Sequence, residues 1–277
     1  MSRNMKRWCV IGAILMFTGI VLSIFAVKLG AKTVISWVDG KIKVGQETTS
    51  LEKSSIEEFS CIETDIQSSN IELVASDGYY IELVECAGIL DYKIVNGVLK
   101  IEQEDKSFFG IGFMGKSENK VKIYYPKEVV LEDVSFEVNM GSLNMEEAQV
   151  SSIEIECNMG NINVKKCIFE ELFIEADMGN VNLENIVTNT IDVTADMGNV
   201  DMKSIDLTEK GIVECNMGNV EMSFEKPVES YQIYAKINMG ELSVDGKKCD
   251  SSYKTEGEIP LEVSNDMGNI ELDFSKE

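Results

Sequence analysis

The sequence contains no histidine, and its only arginines, Arg3 and Arg7, stand at the extreme N-terminus. The rest of the chain therefore lacks a Ser–His or Cys–His pair for nucleophilic catalysis, a histidine metal ligand and an arginine clamp for carboxylate or phosphate. Catalysis by paired Asp and Glu side chains stays open in principle. These carboxylates are spread along the chain as on a solvated surface, so we predict that the protein is not an enzyme.

Positive charge is scarce. Residues 31–277 hold all 48 Asp and Glu but only 21 of the 25 Lys and Arg, a net charge of −27. Such a surface repels nucleic acid and anionic lipid head groups. We therefore predict no nucleic-acid partner, and nothing in the sequence calls for a cofactor.

One long segment lacks charge altogether. Trp8–Val27 is long enough to cross a bilayer as a helix, and Arg3, Lys6 and Arg7 precede it. No lipobox cysteine follows, and small-residue cleavage signals are poor. We predict a single-pass membrane protein with the C-terminal domain outside the cell membrane. The predicted regions are an anchor (1–30), a juxtamembrane stalk (31–55) and a β domain (56–277).

A short motif, Asn/Asp-Met-Gly, organises the β domain. It occurs seven times, with spacings of 19, 19, 19, 20, 22 and 28 residues, and its glycines are Gly141, Gly160, Gly179, Gly198, Gly218, Gly240 and Gly268. A period near 20 residues is typical of a solenoid. Apolar residues recur five and three positions before each glycine and two and four positions after it, which predicts two strands joined by a glycine bend.

The predicted fold is all-β: a single-stranded parallel β-helix, or β-solenoid, behind one N-terminal transmembrane helix. We expect a right-handed coil. Residues 56–125 would form irregular coils or a cap, and residues 126–277 the regular repeats. Ile62–Val74 resembles a degenerate coil, and Asn96-Gly97 predicts a hairpin turn.

The residue before each glycine is always methionine: Met140, Met159, Met178, Met197, Met217, Met239 and Met267. Thioethers favour Cu(I), so one interpretation is a ladder of soft-metal ligands. The methionines, however, continue the alternation of the apolar columns. We therefore predict that they face inward and that, with the glycines, they form the structural core of the repeat.

The Asn or Asp at the start of each motif is predicted to face outward. Such side chains suit turns and can stack as ladders along a solenoid. Their oxygens could also bind Ca²⁺, but the Gly-Gly-x-Gly-x-Asp motif of calcium-binding β-rolls is absent. We predict no metal site.

An apolar, glycine-rich loop interrupts the N-terminal part. Its large residues are Phe108, Phe109, Ile111, Phe113 and Met114. It would either pack as a flap over the end of the solenoid or form a candidate contact loop for lipid or a partner.

Six cysteines lie beyond the uncharged segment. Cys157 and Cys215 occupy one inward column three coils apart, about 14 Å by strand spacing, which is too far for a disulfide. A bridge between Cys61 and Cys86 stays open.

The Asn/Asp-Met-Gly-Asn array behind one N-terminal span resembles a bacterial family of β-strand-repeat proteins known as putative adhesins, including LiaG-like membrane proteins. Ser69-Asn70-Ile71-Glu72-Leu73 is similar to the family's opening motif. The resemblance implies a right-handed β-helix, an envelope location and a link to envelope stress, and it supplies no catalytic residues.

We accordingly predict a membrane-anchored extracytoplasmic β-solenoid that acts as a non-catalytic binding or scaffold module in the bacterial cell envelope. Its partners would be the membrane, through the anchor, and an envelope protein or wall polymer. One alternative is a surface adhesin, which should expose aromatic residues along one flank. The other is a β-helix polysaccharide hydrolase or lyase, which needs carboxylates in a groove with a basic partner.

Overall fold

The computed structural model describes residues 16–19, 22, 35–38, 41–44, 48–103, 109–111 and 118–276. The chain divides into two compact units, residues 1–47 with 105–117, and residues 48–104 with 118–277. Strands account for almost all of the described structure, which confirms the all-β solenoid prediction.

The strands in chain order are β1 (Ile35–Val38), β2 (Lys41–Val44), β3 (Thr48–Ser55), β4 (Cys61–Ile66), β5 (Asn70–Ser76), β6 (Tyr80–Ala87), β7 (Leu90–Val95), β8 (Val98–Gln103), β9 (Phe109–Ile111), β10 (Lys120–Pro126), β11 (Leu131–Met140) and β12 (Leu143–Glu146). They continue as β13 (Gln149–Met159), β14 (Ile162–Lys165), β15 (Ile168–Met178), β16 (Val181–Met197), β17 (Val200–Met217), β18 (Val220–Phe224), β19 (Tyr231–Met239), β20 (Leu242–Val244), β21 (Lys247–Cys249), β22 (Ser252–Lys254), β23 (Ile259–Met267) and β24 (Ile270–Phe274). A 3-10 helix spans Val228–Ser230.

In the smaller unit, β1 pairs antiparallel with both β2 and β9. The region expected to be a stalk therefore contains strands, and β3 belongs to the sheet of the larger unit. Residues 16–19 and 22 are helical. Within the described residues no helix is long and apolar enough to span a bilayer. Most of the predicted anchor, Trp8–Val27, lies outside them.

The larger unit consists of stacked coils whose equivalent strands pair in parallel. β13 pairs with β11 and β15, and the shorter β14 pairs with β12 and β16. Every strand of a coil therefore has a partner in the next coil at about 4.8 Å. The inward residues form one continuous apolar core along the stack.

Each regular coil has three straight segments, as the coil around Gly160 shows. Ile153, Ile155 and Cys157 are buried before the glycine, Ile162 and Val164 after it, and Cys167 and Phe169 further on. The predicted return is thus a third strand segment. The turn into it uses a left-handed non-glycine residue six positions after the glycine, at Glu147, Lys166, Asn185 and Ser204.

The methionine column is not in the core, so its assignment as core was wrong. The side chains are 41–61% exposed, whereas the apolar residues two positions earlier, such as Cys157 and Ala176, are buried. The reason is that the bend begins at the Asn or Asp, two residues before the glycine at which it was predicted. Cys157 pairs with Ala176 and Met159 with Met178, but Asn158 and Asp177 are skipped in the ladder. The strand turns there and directs the methionine outward.

The N-terminal part confirms two predictions. β4 and β5 form the degenerate first coil, with Ile62 opposite Val134 and Ile71 opposite Leu143. β7 and β8 form an antiparallel hairpin around Asn96-Gly97. Below the first coil, β8 and β10 pair in parallel with β4 and β5, and β6 pairs antiparallel with β3 and β10. This end is a mixed cap.

At the other end, the order of coils in space departs from the order in sequence. β17 pairs with β23, and β23 pairs in turn with β19. The coil that contains Met267 therefore lies between those of Met217 and Met239. After the coil of Met217 the chain skips one layer and forms the coil of Met239. It then turns through the antiparallel β21 and β22 and forms the coil of Met267 in the skipped layer. This detour accounts for the 28-residue spacing.

Candidate functional surfaces

The seven exposed methionines form one line, here called the methionine ridge. In spatial order it runs Met140, Met159, Met178, Met197, Met217, Met267, Met239, and each is the register partner of the next. Neighbouring backbones are thus one strand spacing apart, about 4.8 Å. The ridge is an exposed apolar surface, whereas the sequence analysis had predicted that these side chains face inward.

Stacked glycines fix the backbone beside the ridge. Their φ angles lie between +141° and +154°. A Cβ on Gly160 would lie 1.7 Å from the carbonyl oxygen of Gly141, and the same clash recurs at the following glycines. The N–H groups of six of the seven glycines donate to a methionine carbonyl of the next coil, as Gly160 does to Met178 at 2.9 Å. The glycines therefore hold the closely stacked corner of the repeat.

An amide ladder follows the glycines. The side-chain oxygen of Asn161 accepts from the backbone N–H of Asn180 at 3.0 Å, and Asn180 in turn accepts from Asn199 at 2.9 Å. The chain of bonds continues through Asn219 and Asn269. These side chains complete the backbone hydrogen bonding of the corner.

The Asn/Asp column on the other side of the ridge is also partly bonded between coils. Asn216 donates to Asp196 at 2.6 Å, and Asn238 donates to Asp266 at 2.6 Å. Asp177 and Asp196 occupy adjacent coils beside Met178 and Met197. Among the residues the structure describes, no group of three or more His, Cys, Asp or Glu side chains is placed to hold a metal ion.

A ladder of carboxylates, which the sequence interpretation missed, crosses five consecutive layers. This acidic ladder consists of Glu102, Asp65, Glu137, Glu156 and Glu175 in register. Desolvation by neighbouring coils, then repulsion from Glu154, Glu137, Glu175 and Asp177, raises the pKa of Glu156. The signal was present in the sequence, since three of the five stand four residues before a motif glycine.

An open groove of about 510 Å³ runs beside β5, β12 and β14. It contains Glu72, Glu146, Glu147 and Lys165, the residue types that a polysaccharide hydrolase would use. These carboxylates are paired with lysines: Glu72 with Lys120 at 2.7 Å, Glu146 with Lys166 at 2.8 Å and Glu147 with Lys127 at 2.8 Å. Lys127 lowers the pKa of Glu147. A glycosidase acid needs a raised pKa, so this groove lacks that feature at Glu147.

The six described cysteines are free thiols, including Cys61 and Cys86. Burial raises the pKa of Cys86, Cys157 and Cys215, and raises that of Cys167 to about 11. A buried thiol of raised pKa is a poor nucleophile and a poor metal ligand.

The candidate contact loop is described only in part. Phe109 and Ile111 belong to β9, which pairs with β1. Phe108, Phe113 and Met114 lie outside the described residues.

The chain belongs to the Toastrack DUF4097 family, whose model matches residues 59–276. The match spans every coil described above and the mixed cap apart from β3. It confirms the resemblance to β-strand-repeat proteins of the putative-adhesin type. No curated protein matches the chain.

Three solved structures illustrate what the chain is similar to. A "putative adhesin" from Bacteroides fragilis NCTC 9343 is 11% identical, with a TM-score of 0.42, over 84% of this chain and 100% of that one. A "putative adhesin" from Parabacteroides distasonis ATCC 8503 is 11% identical, with a TM-score of 0.39, over 83% and 98%. A "putative lipid binding protein" from the same strain is 18% identical, with a TM-score of 0.35, over 86% and 98%. At these TM-scores the similarities carry no argument about function.

Proposed function

We propose that the protein is a non-catalytic binding or scaffold module of the bacterial cell envelope that meets its partner along the side of the coil stack. The observation that carries this proposal is the register of its surface. Parallel stacking aligns equal side chains into the methionine ridge, the amide ladder and the acidic ladder. Such surfaces match an extended partner better than a small substrate enclosed in a pocket.

The acidic ladder indicates the charge of that partner. Like charges directly opposite each other destabilise a sheet, and Glu137, Glu156 and Glu175 have no ion pair with any described residue. A partner with a positively charged surface would relieve this repulsion. It would also associate faster at low ionic strength.

The proposed location rests on the sequence. Trp8–Val27 is uncharged and follows Arg3, Lys6 and Arg7, which favours an anchor with the coils outside the cell membrane. A LiaG-like role in the response to envelope stress follows from the resemblance alone. If the coils are outside, protease added to intact protoplasts should degrade the larger unit, whereas protection until lysis would reverse the topology.

The surface-adhesin alternative is less favoured. It calls for a flank of exposed aromatics, and in the larger unit the exposed aromatic residues are Tyr92, Phe173 and Tyr234. No two of them are register partners. They are isolated on the surface rather than aligned.

Site-specific photo-cross-linking of the full-length protein in intact cells would test the binding proposal. A photo-reactive amino acid in place of Glu156 should yield a discrete adduct. Glu137→Gln with Glu175→Gln should weaken that adduct. Glu256→Gln with Glu258→Gln, which removes the same charge from an exposed loop, should leave it unchanged. Equal adducts in both variants, or none in the parent, would refute the role of the acidic ladder.

A further inference from the structure

We propose that the methionine ridge binds a soft monovalent metal cation, Cu(I) or its analogue Ag(I), through the thioethers of adjacent coils. The central ligands are Met159, Met178 and Met197. The proposal is independent of any macromolecular partner, because it depends only on the chemistry and alignment of this one column.

Sulfur chemistry gives the first reason. Thioether ligands select soft ions such as Cu(I) and bind Ca²⁺ or Mg²⁺ poorly. A thioether carries no proton that must leave before it coordinates. The site would therefore stay competent across the acidic range in which thiols are protonated.

The spacing of the ridge suits a metal that bridges neighbouring coils. Met159 pairs with Met178, and Met178 with Met197, so their backbones are about 4.8 Å apart. A metal–sulfur bond of roughly 2.3 Å, as in zinc thiolate sites, puts two sulfurs on opposite sides of one ion about 4.6 Å apart. These two lengths nearly coincide. Small changes of the flexible methionine rotamers can make up the difference.

A comparison with the other methionine column argues for sulfur rather than for apolar character alone. The column four positions after the glycine is buried. It contains Met145, Met202 and Met222, but also Val164, Leu183, Val244 and Leu272. A buried apolar position therefore accepts any of several side chains. The ridge is 41–61% exposed, yet methionine fills it in all seven coils.

The surroundings of the central methionines favour a cation. Asp177 and Asp196 directly precede Met178 and Met197, and so supply negative charge beside a monovalent ion. The backbone is held rigid, because the N–H groups of Gly160 and Gly179 donate to the carbonyls of Met178 and Met197, each at 2.9 Å. The ligands are thus positioned on a fixed frame.

The test is a titration of the full-length protein in detergent, with the methionine methyl groups labelled with carbon-13 and observed by NMR. Accessible thiols, among them Cys61 and Cys249, are first blocked with N-ethylmaleimide, since thiols compete for Ag(I). Addition of Ag(I) should shift the methyl signals of the ridge and leave those of the buried Met145, Met202 and Met222 in place. Absence of a shift on the ridge would overturn the proposal without any variant.

Two matched triple variants separate metal binding from apolar docking. Met159→Leu, Met178→Leu and Met197→Leu keep the ridge apolar but remove its central sulfurs. They should weaken the apparent affinity for Cu(I), measured by competition with a chromophoric Cu(I) chelator under ascorbate, by about tenfold or more. Met145→Leu, Met202→Leu and Met222→Leu should leave it unchanged. An equal affinity in the two variants would mean that the ridge is only an apolar surface.

Discussion

Gly179 lies so close to Gly160 that a Cβ added to Gly179 would be 1.6 Å from the carbonyl oxygen of Gly160. Its φ of +148° is also one that side chains rarely adopt. Both constraints recur up the stack. The glycine is therefore required twice at this corner, once for its backbone conformation and once for the approach of the neighbouring coil.

We expect Gly179→Ala to lower the free energy of unfolding by about 2–5 kcal/mol, from backbone strain together with overpacking. Gly246→Ala is the control. Gly246 also has a positive φ, +69°, but nothing lies within 4 Å of its added Cβ. Its cost should be limited to about 1–2 kcal/mol of left-handed strain. Denaturant melts would measure both, and equal losses would show that the contact between glycines is unimportant.

The repeat pattern predicted the strands and most inward residues, because burial enforces period-2 alternation along straight segments. It failed at Met178, where alternation was carried one residue too far. The bend begins at Asp177, where the pairing between neighbouring strands is interrupted. The spacing of apolar residues in the sequence does not reveal such an interruption. The acidic ladder was missed for a different reason, because among its members only Glu137, Glu156 and Glu175 share a column of the motif. Its members Asp65 and Glu102 come from the first coil and the cap, where the motif is absent.

Met178→Ala should therefore have a small effect on stability, less than about 1 kcal/mol, because the side chain is 42% exposed. Ile174, four residues earlier, is buried in the same strand. Ile174→Ala should cost about 2–5 kcal/mol through the cavity that it leaves. Comparable losses in the two denaturant melts would mean that the methionine is packed in the core after all.

Glu156 should make stability depend on pH in an unusual direction. Its pKa is raised in the folded state, so its ionisation disfavours folding as the pH rises above the ordinary carboxyl range. Glu156→Gln should thus increase stability at neutral pH, and the gain should vanish at low pH, where both states are protonated. Added salt should reduce it.

Glu184→Gln is the control of opposite sign. A hydrogen bond from Lys165 lowers the pKa of Glu184. Neutralising this side chain should leave stability at neutral pH unchanged or slightly reduced, and any loss should disappear as the pH falls. Melts of both variants across a pH series would decide, and a loss of stability in Glu156→Gln at neutral pH would contradict the repulsion in the acidic ladder.

The order of the last coils is the feature least accessible from sequence, because all motif coils present the same columns and any one could stack on any other. In the structure Glu214 is the partner of Ser264, and Ser264 is the partner of Lys236. Residues in adjacent layers, about 4.8 Å apart, fall within disulfide range, whereas residues two layers apart, about 9.6 Å, do not.

In a background with Cys61→Ser and Cys249→Ser, Glu214→Cys with Ser264→Cys should form a disulfide on oxidation, and Glu214→Cys with Lys236→Cys should not. Thr194→Cys with Glu214→Cys, adjacent in either arrangement, is the positive control. Peptide mapping by mass spectrometry would identify the bridges, and cross-linking of position 214 to position 236 in place of 264 would mean that the coils stack in sequence order.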